Sequence, residues 1–301
     1  MIDNILKENK DLKLNNNMIT YLKVLESIIP EEYRTNFYNN LKTLKVFYNN
    51  NLKNELIGAT GKYIAKTNTI VLETEYITNQ FKNKDIENIE NIELLKTIEQ
   101  CFLHEFVHMA SSSYDKETDI LISGYEQKHY PTAKALTEGM AEFLSLAIVK
   151  PKYGINTGYN IETNIINQLY QVLGNDLIKS FFSGSRTTLL ENDLKRLNNN
   201  EESIKTLLQE IENISTLKDS KYDSDSLSIV QDLLLDFLDK KLETLEDKEE
   251  IEKYLYNYSN ILITNESIKT ITNDYKKYID LDKNEQKFED IKNKYSYSKT
   301  K

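Results

Sequence analysis

Residues 101–110 read Cys101-Phe102-Leu103-His104-Glu105-Phe106-Val107-His108-Met109-Ala110, an H-E-x-x-H motif inside an apolar stretch. Histidines four apart stand one above the other on a single helical face, so His104 and His108 can aim both Nε2 atoms at one ion. Glu105 sits one residue round the helix, where it can serve a water molecule as general base without ligating the ion. This is the spacing of a zinc hydrolase helix. Phe102, Leu103, Phe106, Val107 and Met109 leave no solvent face, so the imidazoles and Glu105 are expected to be at least partly buried. Buried charge and imidazole need partners, and a metal supplies them. Two of the chain's 3 histidines fall in this motif.

Upstream, Ile92, Leu95, Ile98, Cys101 and Phe102 carry a helical stripe into the motif, which predicts a helix from about Ile92 to Ala110, ended by Ser111-Ser112-Ser113. Before it, Leu56 to Ala65 and Thr69 to Leu72 are β-branched or aromatic runs separated by Lys66-Thr67-Asn68, a β-hairpin pattern. Such a hairpin can offer an edge strand to an extended peptide or simply cover the helix. Near the N-terminus, Tyr21, Val24, Leu25 and Ile28 mark one helix ending before Pro30, and Tyr33 to Tyr48 suggests another. The Asn runs 15–17, 49–51 and 198–200 read as turns. Downstream, Pro131-Thr132 opens a helix that Lys150-Pro151 stops. Helical patterns recur at Ile161 to Leu173, Leu177 to Phe182 and Leu227 to Leu245.

A catalytic zinc usually takes three protein ligands, so one more must come from outside the motif. Between His108 and Pro151 the candidates are Asp115, Glu117, Asp119, Glu126, His129, Glu138 and Glu142. Ser111 and Tyr114 stand where an H-E-x-x-H-x-x-G-x-x-H pattern needs glycine and histidine, which leaves a carboxylate on the second helix. There Thr137-Glu138-Gly139-Met140-Ala141-Glu142 holds a glycine within a regular helix, at a cost of about 1 kcal/mol relative to Ala. Close approach of another backbone would explain it. Glu138 and Glu142 lie one turn apart on one face, so the first can ligate zinc while the second accepts the free ring N–H of a ligating histidine.

Leu103 to His108 together with Leu136 to Glu142 resembles the gluzincin group of zinc metallopeptidases, in which H-E-x-x-H on one helix is followed by a glutamate ligand on a second. The resemblance spans roughly Leu56 to Phe182 and is to small bacterial members, with Tyr159-Asn160-Ile161-Glu162 and Gln171-Val172-Leu173-Gly174 as looser matches. It implies that His104, His108 and Glu138 hold one Zn2+ per chain, that Glu105 is the base and that Glu142 stands behind a ligand. It also implies an α+β, mainly helical, zincin-like fold: a small sheet or hairpin packed on the two site-bearing helices. The expected organisation is an N-terminal helical segment (1–50), a zincin-like catalytic domain (51–197) and a helical C-terminal region (198–301). For the oxyanion donor, Tyr159 of the family-like segment is favoured, with His129 second; Tyr125, Tyr130 and Tyr153 are further candidates.

Composition sets the outer limits. The 301 residues include 20 Tyr and 10 Phe, enough large apolar surface for a substantial core. With 48 acidic against 38 basic residues and a net charge of -10, a nucleic-acid or anionic-membrane binder is disfavoured. Cys101 is alone and reads as a small packed side chain rather than a thiolate at the metal. No signal-peptide pattern or membrane-length apolar run is seen, so a cytoplasmic protein is expected. The expected activity is zinc-dependent hydrolysis of a peptide or protein substrate; the alternative is a non-catalytic zinc-binding helical interaction protein. An intact Glu105 favours the former.

Overall fold

The computed structural model describes residues 1–10, 12, 14–48, 61–72, 91–115, 117–127, 133–150, 159–216, 224–268 and 280–297. Among the described residues the chain is mainly helical with two small three-stranded sheets, an α+β arrangement. It divides into two compact units. One comprises Met1–Tyr130, Met140–Thr157 and Phe181–Arg186; the other comprises Pro131–Gly139, Gly158–Ser180 and Thr187–Lys301.

The first unit opens with helices α1 (Ile2–Glu8), α2 (Asn16–Ile28) and α3 (Arg34–Thr43). Asn15 begins α2 rather than a loop, because its Oδ1 accepts the Met18 N–H at 2.8 Å and satisfies one of the free donors of the first turn. The helix expected over Tyr33 to Tyr48 stops at Thr43. Asn9 Nδ2 donates to the carbonyls of Leu41 and Leu44 at 3.1 and 3.0 Å, which satisfies acceptors at the helix end. Residues Lys45–Tyr48 then form strand β1.

β1 pairs in parallel with β3 (Thr69–Leu72), and β2 (Gly61–Ile64) pairs antiparallel with it on the other side. The expected hairpin is present over 61–72; residues 56–60 lie outside the described residues. Asn68 takes the left-handed conformation, φ 48°, that its short polar side chain tolerates at the turn. All four residues of β3 are buried, as befits the middle strand.

Helix α4 (Asn91–Ser111) carries the motif and packs on α2, α3 and β2. Its C-terminus is capped from α3: Asn40 Nδ2 donates to the carbonyls of Met109 and Ser112, both at 2.8 Å, and Asn36 Nδ2 to that of Ser112 at 2.7 Å. The serine run ends the helix as expected. It continues directly into β4 (Ser112–Asp115), which pairs with β5 (Ile120–Ser123), followed by β6 (Glu126–Gln127). That second sheet has no counterpart among the expectations. Its strands are only two to four residues long and lack the apolar alternation by which a strand is recognised.

Helix α5 (Lys134–Val149) is unbroken and runs from the second unit into the first. Its expected opening at Pro131-Thr132 lies outside the described residues. The second unit continues with α6 (Asn160–Leu173), α7 (Asn175–Phe182), whose last two residues belong to the first unit, α8 (Thr188–Leu197), α9 (Glu201–Thr216), α10 (Ser224–Glu243), α11 (Lys248–Ser259) and α12 (Asp282–Tyr297). Its core includes a buried polar cluster in which Gln231 Nε2 donates to Gln168 Oε1 at 2.6 Å and the Tyr258 hydroxyl donates to the same oxygen at 2.7 Å. Such a cluster tolerates burial because its groups satisfy one another. No helix among the described residues is long and apolar enough to cross a membrane.

Candidate metal centre

The period of α4 does what the motif spacing requires. His104 and His108 lie on one face with their Nε2 atoms 3.0 Å apart and their rings at 67°. Their apolar neighbours Leu103, Phe106, Val107 and Met109 are fully buried, and His104 itself is 7% exposed. Glu138 of α5 completes a group in which one ligand atom from each of the three residues lies within 4.8 Å of the other two. Helical continuity places Glu138, since Glu142 one turn further along α5 is bonded directly to His104.

That bond is the organising contact of the site. His104 Nδ1 donates to Glu142 Oε2 at 2.9 Å, and Glu142 is only 2% exposed. A carboxylate oxygen accepts, so the proton sits on Nδ1 and the Nε2 lone pair is left for an ion. The same carboxylate oxygen accepts from Gln100 Nε2 at 3.1 Å. Gln100 also donates to Ser145 Oγ at 2.9 Å, and Ser145 Oγ donates to the Glu142 carbonyl at 3.0 Å. Gln100, Glu142 and Ser145 thus brace His104 from behind, as ligand-orienting residues do in metal sites.

The donor set fits a divalent metal such as zinc. Two ligands at the usual Zn–N distance and tetrahedral angle would have nitrogens about 3.3 Å apart, close to the separation of these two Nε2 atoms. Two imidazoles and a carboxylate form a common donor set for catalytic zinc, and the ligand count leaves a position open. Among the described residues this is the group suited to hold an ion.

Glu105 is 7% exposed and lies against strand β2, at Gly61. Beside it on the strand, burial pushes the Tyr63 phenol well above the usual tyrosine range, and the Tyr63 hydroxyl donates to Asn68 Oδ1 at 3.0 Å. Cys101 is buried, as expected of a packed thiol. Asp119, one of the alternative ligands considered, instead accepts from Lys66 Nζ at 2.9 Å and from the Tyr114 hydroxyl at 2.7 Å in the β4–β5 turn. Tyr159 immediately precedes α6 and its carbonyl accepts the Thr163 hydroxyl at 2.8 Å. His129, Tyr130 and Tyr153 lie outside the described residues.

Three contributors escaped the sequence reading. Gln100 sits four residues before His104, a spacing that places it on the same face, and Ser145 sits three after Glu142, so period alone contained a signal for both. Gly61 carried none. Gly139, in contrast, behaves as its position suggested: a Cβ there would lie 2.9 Å from the carbonyl oxygen of Glu162 and 2.9 Å from Ile166 Cγ1 on α6, so backbone approach demands glycine.

No protein-family profile matches the chain, and no curated protein or solved structure is significantly similar to it.

Proposed function

We propose that this chain is a zinc-dependent metallopeptidase of gluzincin type with a zincin-like fold, acting on a peptide or protein substrate in the cytoplasm. The observation that supports the reading most is the pairing of a three-ligand cluster with a buried, non-ligating glutamate on the same turn of α4. A purely structural site has no use for that carboxylate.

In this reading His104, His108 and Glu138 hold the ion. Zinc, when bound, supplies Lewis acidity that favours ionisation of water near neutral pH and polarises the scissile carbonyl. Glu105 accepts the proton as water attacks the carbonyl carbon and later delivers it to the departing amine nitrogen. Glu142 holds the His104 ring in one tautomer and one orientation. Phe102 and Phe106, either side of His104 on α4, are buried with ring centroids 4.8 Å apart and anchor that stretch of the helix in the core. Tyr159 is our proposed oxyanion donor and His129 the second choice, both from the sequence.

The test is cleavage of a peptide library by zinc-loaded protein, with and without chelator, alongside Glu105→Gln. We expect chelator-sensitive cleavage by the parent chain, and a variant that keeps its metal while losing hydrolysis. Metal binding without cleavage of any peptide would instead favour the non-catalytic zinc-binding interaction protein.

A further inference from the structure

We propose that Gly61 is a positioning residue for the Glu105 carboxylate: the missing side chain at this point of β2 sets where the base can sit. The proposal rests on the reading of Glu105 as the general base. A Cβ built at Gly61 would lie 3.1 Å from Glu105 Cγ, 3.1 Å from Glu105 Oε1 and 2.9 Å from Leu72 Cδ2. None of these separations accommodates a methyl group without displacement.

Backbone conformation does not account for this glycine. Gly61 is absent from the described residues with positive φ, so an L-residue could adopt its backbone angles. A glycine in a strand gives up side-chain packing and often marks close approach by another group. Here two side chains approach, that of Leu72 across the ladder and the carboxylate-bearing one of Glu105 on α4.

The surroundings decide which partner yields. Gly61 is paired in register with Leu72 across the β2–β3 ladder, so the strand cannot retreat without loss of that pairing. Leu72, at the end of the middle strand, is fully buried, so its side chain is enclosed as well. Glu105 is itself nearly enclosed, but it has the longer, more flexible side chain, and its free end is one of the contacted atoms. A methyl group at 61 therefore displaces the Glu105 carboxylate from the place it occupies against β2. The three atoms nearest to such a methyl group belong to Leu72 and Glu105, not to His104, His108 or Glu138.

Two measurements on Gly61→Ala test this. In the zinc-loaded protein, kcat falls by about 100-fold, the scale of a misplaced catalytic group, while KM and zinc affinity stay within about twofold. The same substitution adds no further loss in a Glu105→Gln background. Independently of activity, thermal unfolding of the metal-free protein gives a cycle: Gly61→Ala lowers the midpoint by several degrees in the parent chain and by clearly less in a Glu105→Ala background. Equal losses in the two backgrounds, or an unchanged kcat, overturn the proposal. If the chain hydrolyses nothing, the peptidase reading fails on its own and the unfolding cycle still decides the Gly61–Glu105 contact. Should Gly61→Ala not fold, a folded Gly61→Ala/Glu105→Ala double variant supports the contact and an unfolded one refutes it.

Discussion

His104 and Glu142 are held together by a hydrogen bond of 2.9 Å between a ring nitrogen and a carboxylate that is 2% exposed. The bond joins the two helices of the candidate centre and chooses the histidine tautomer. Removal of the acceptor leaves a buried N–H and an unbraced ring, so Glu142→Ala should weaken zinc binding by about 10- to 100-fold. Glu142→Gln keeps an acceptor oxygen but not the charge, and should fall between the parent and the alanine variant. Competition against a chromophoric chelator measures both; equal affinity in all three proteins would reject the role.

The ligand set predicts about one zinc per chain after metal-free purification and reconstitution. Glu138→Ala should reduce the affinity far more than Glu117→Ala or Glu126→Ala, because only the first removes a member of the converging cluster. Equal effects of the three, read by metal analysis after dialysis, would dismiss Glu138 as a ligand.

Gly139→Ala sets two opposing effects against each other. Alanine gains about 1 kcal/mol of helix propensity. The added methyl meets the Glu162 carbonyl oxygen and carbon at 2.9 and 3.0 Å, backbone atoms that cannot rotate away. Overpacking of this kind costs about 1–3 kcal/mol, so the expected outcome is net destabilisation in chemical denaturation rather than the gain usual for an exposed helical glycine. A higher midpoint would mean that α5 and α6 can part without cost.

Alkaline stability follows from two phenols of the second unit, Tyr258, which is buried, and Tyr295, which is half-buried. Burial pushes Tyr258 far above the usual tyrosine range, and Tyr295 is pushed up to about 12, first by burial and then by its bond to Asp239. A folded-state pKa above the unfolded value means that the stability these groups contribute is complete below about pH 10 and is lost as pH rises toward and through the folded values. Unfolding free energy should therefore decline above pH 10. Tyr258→Phe should flatten that decline while costing about 1 kcal/mol at neutral pH, through the donor lost to Gln168. An unchanged pH slope in the variant would exclude Tyr258 as a source.

What could be read from the residues in order was whatever a helix period can express. The facing of His104 and His108, the shared face of Glu138 and Glu142 and the burial of the motif all follow from the placing of side chains along one helix. The hairpin over 61–72 was equally local. Strand β1 was not, because Lys45–Tyr48 becomes a strand by parallel pairing with residues more than twenty positions later, and the short strands of the second sheet carry no apolar alternation. A bond from one of the histidines to Glu142 was anticipated from spacing, but that it is His104, 38 residues away, and that Gln100 and Ser145 brace it came only with the packing of α4 on α5. Gly61 next to Glu105 is the extreme case. Nothing within either element predicts the contact, since it arises where a strand and a helix with separate local causes are pressed together in one core.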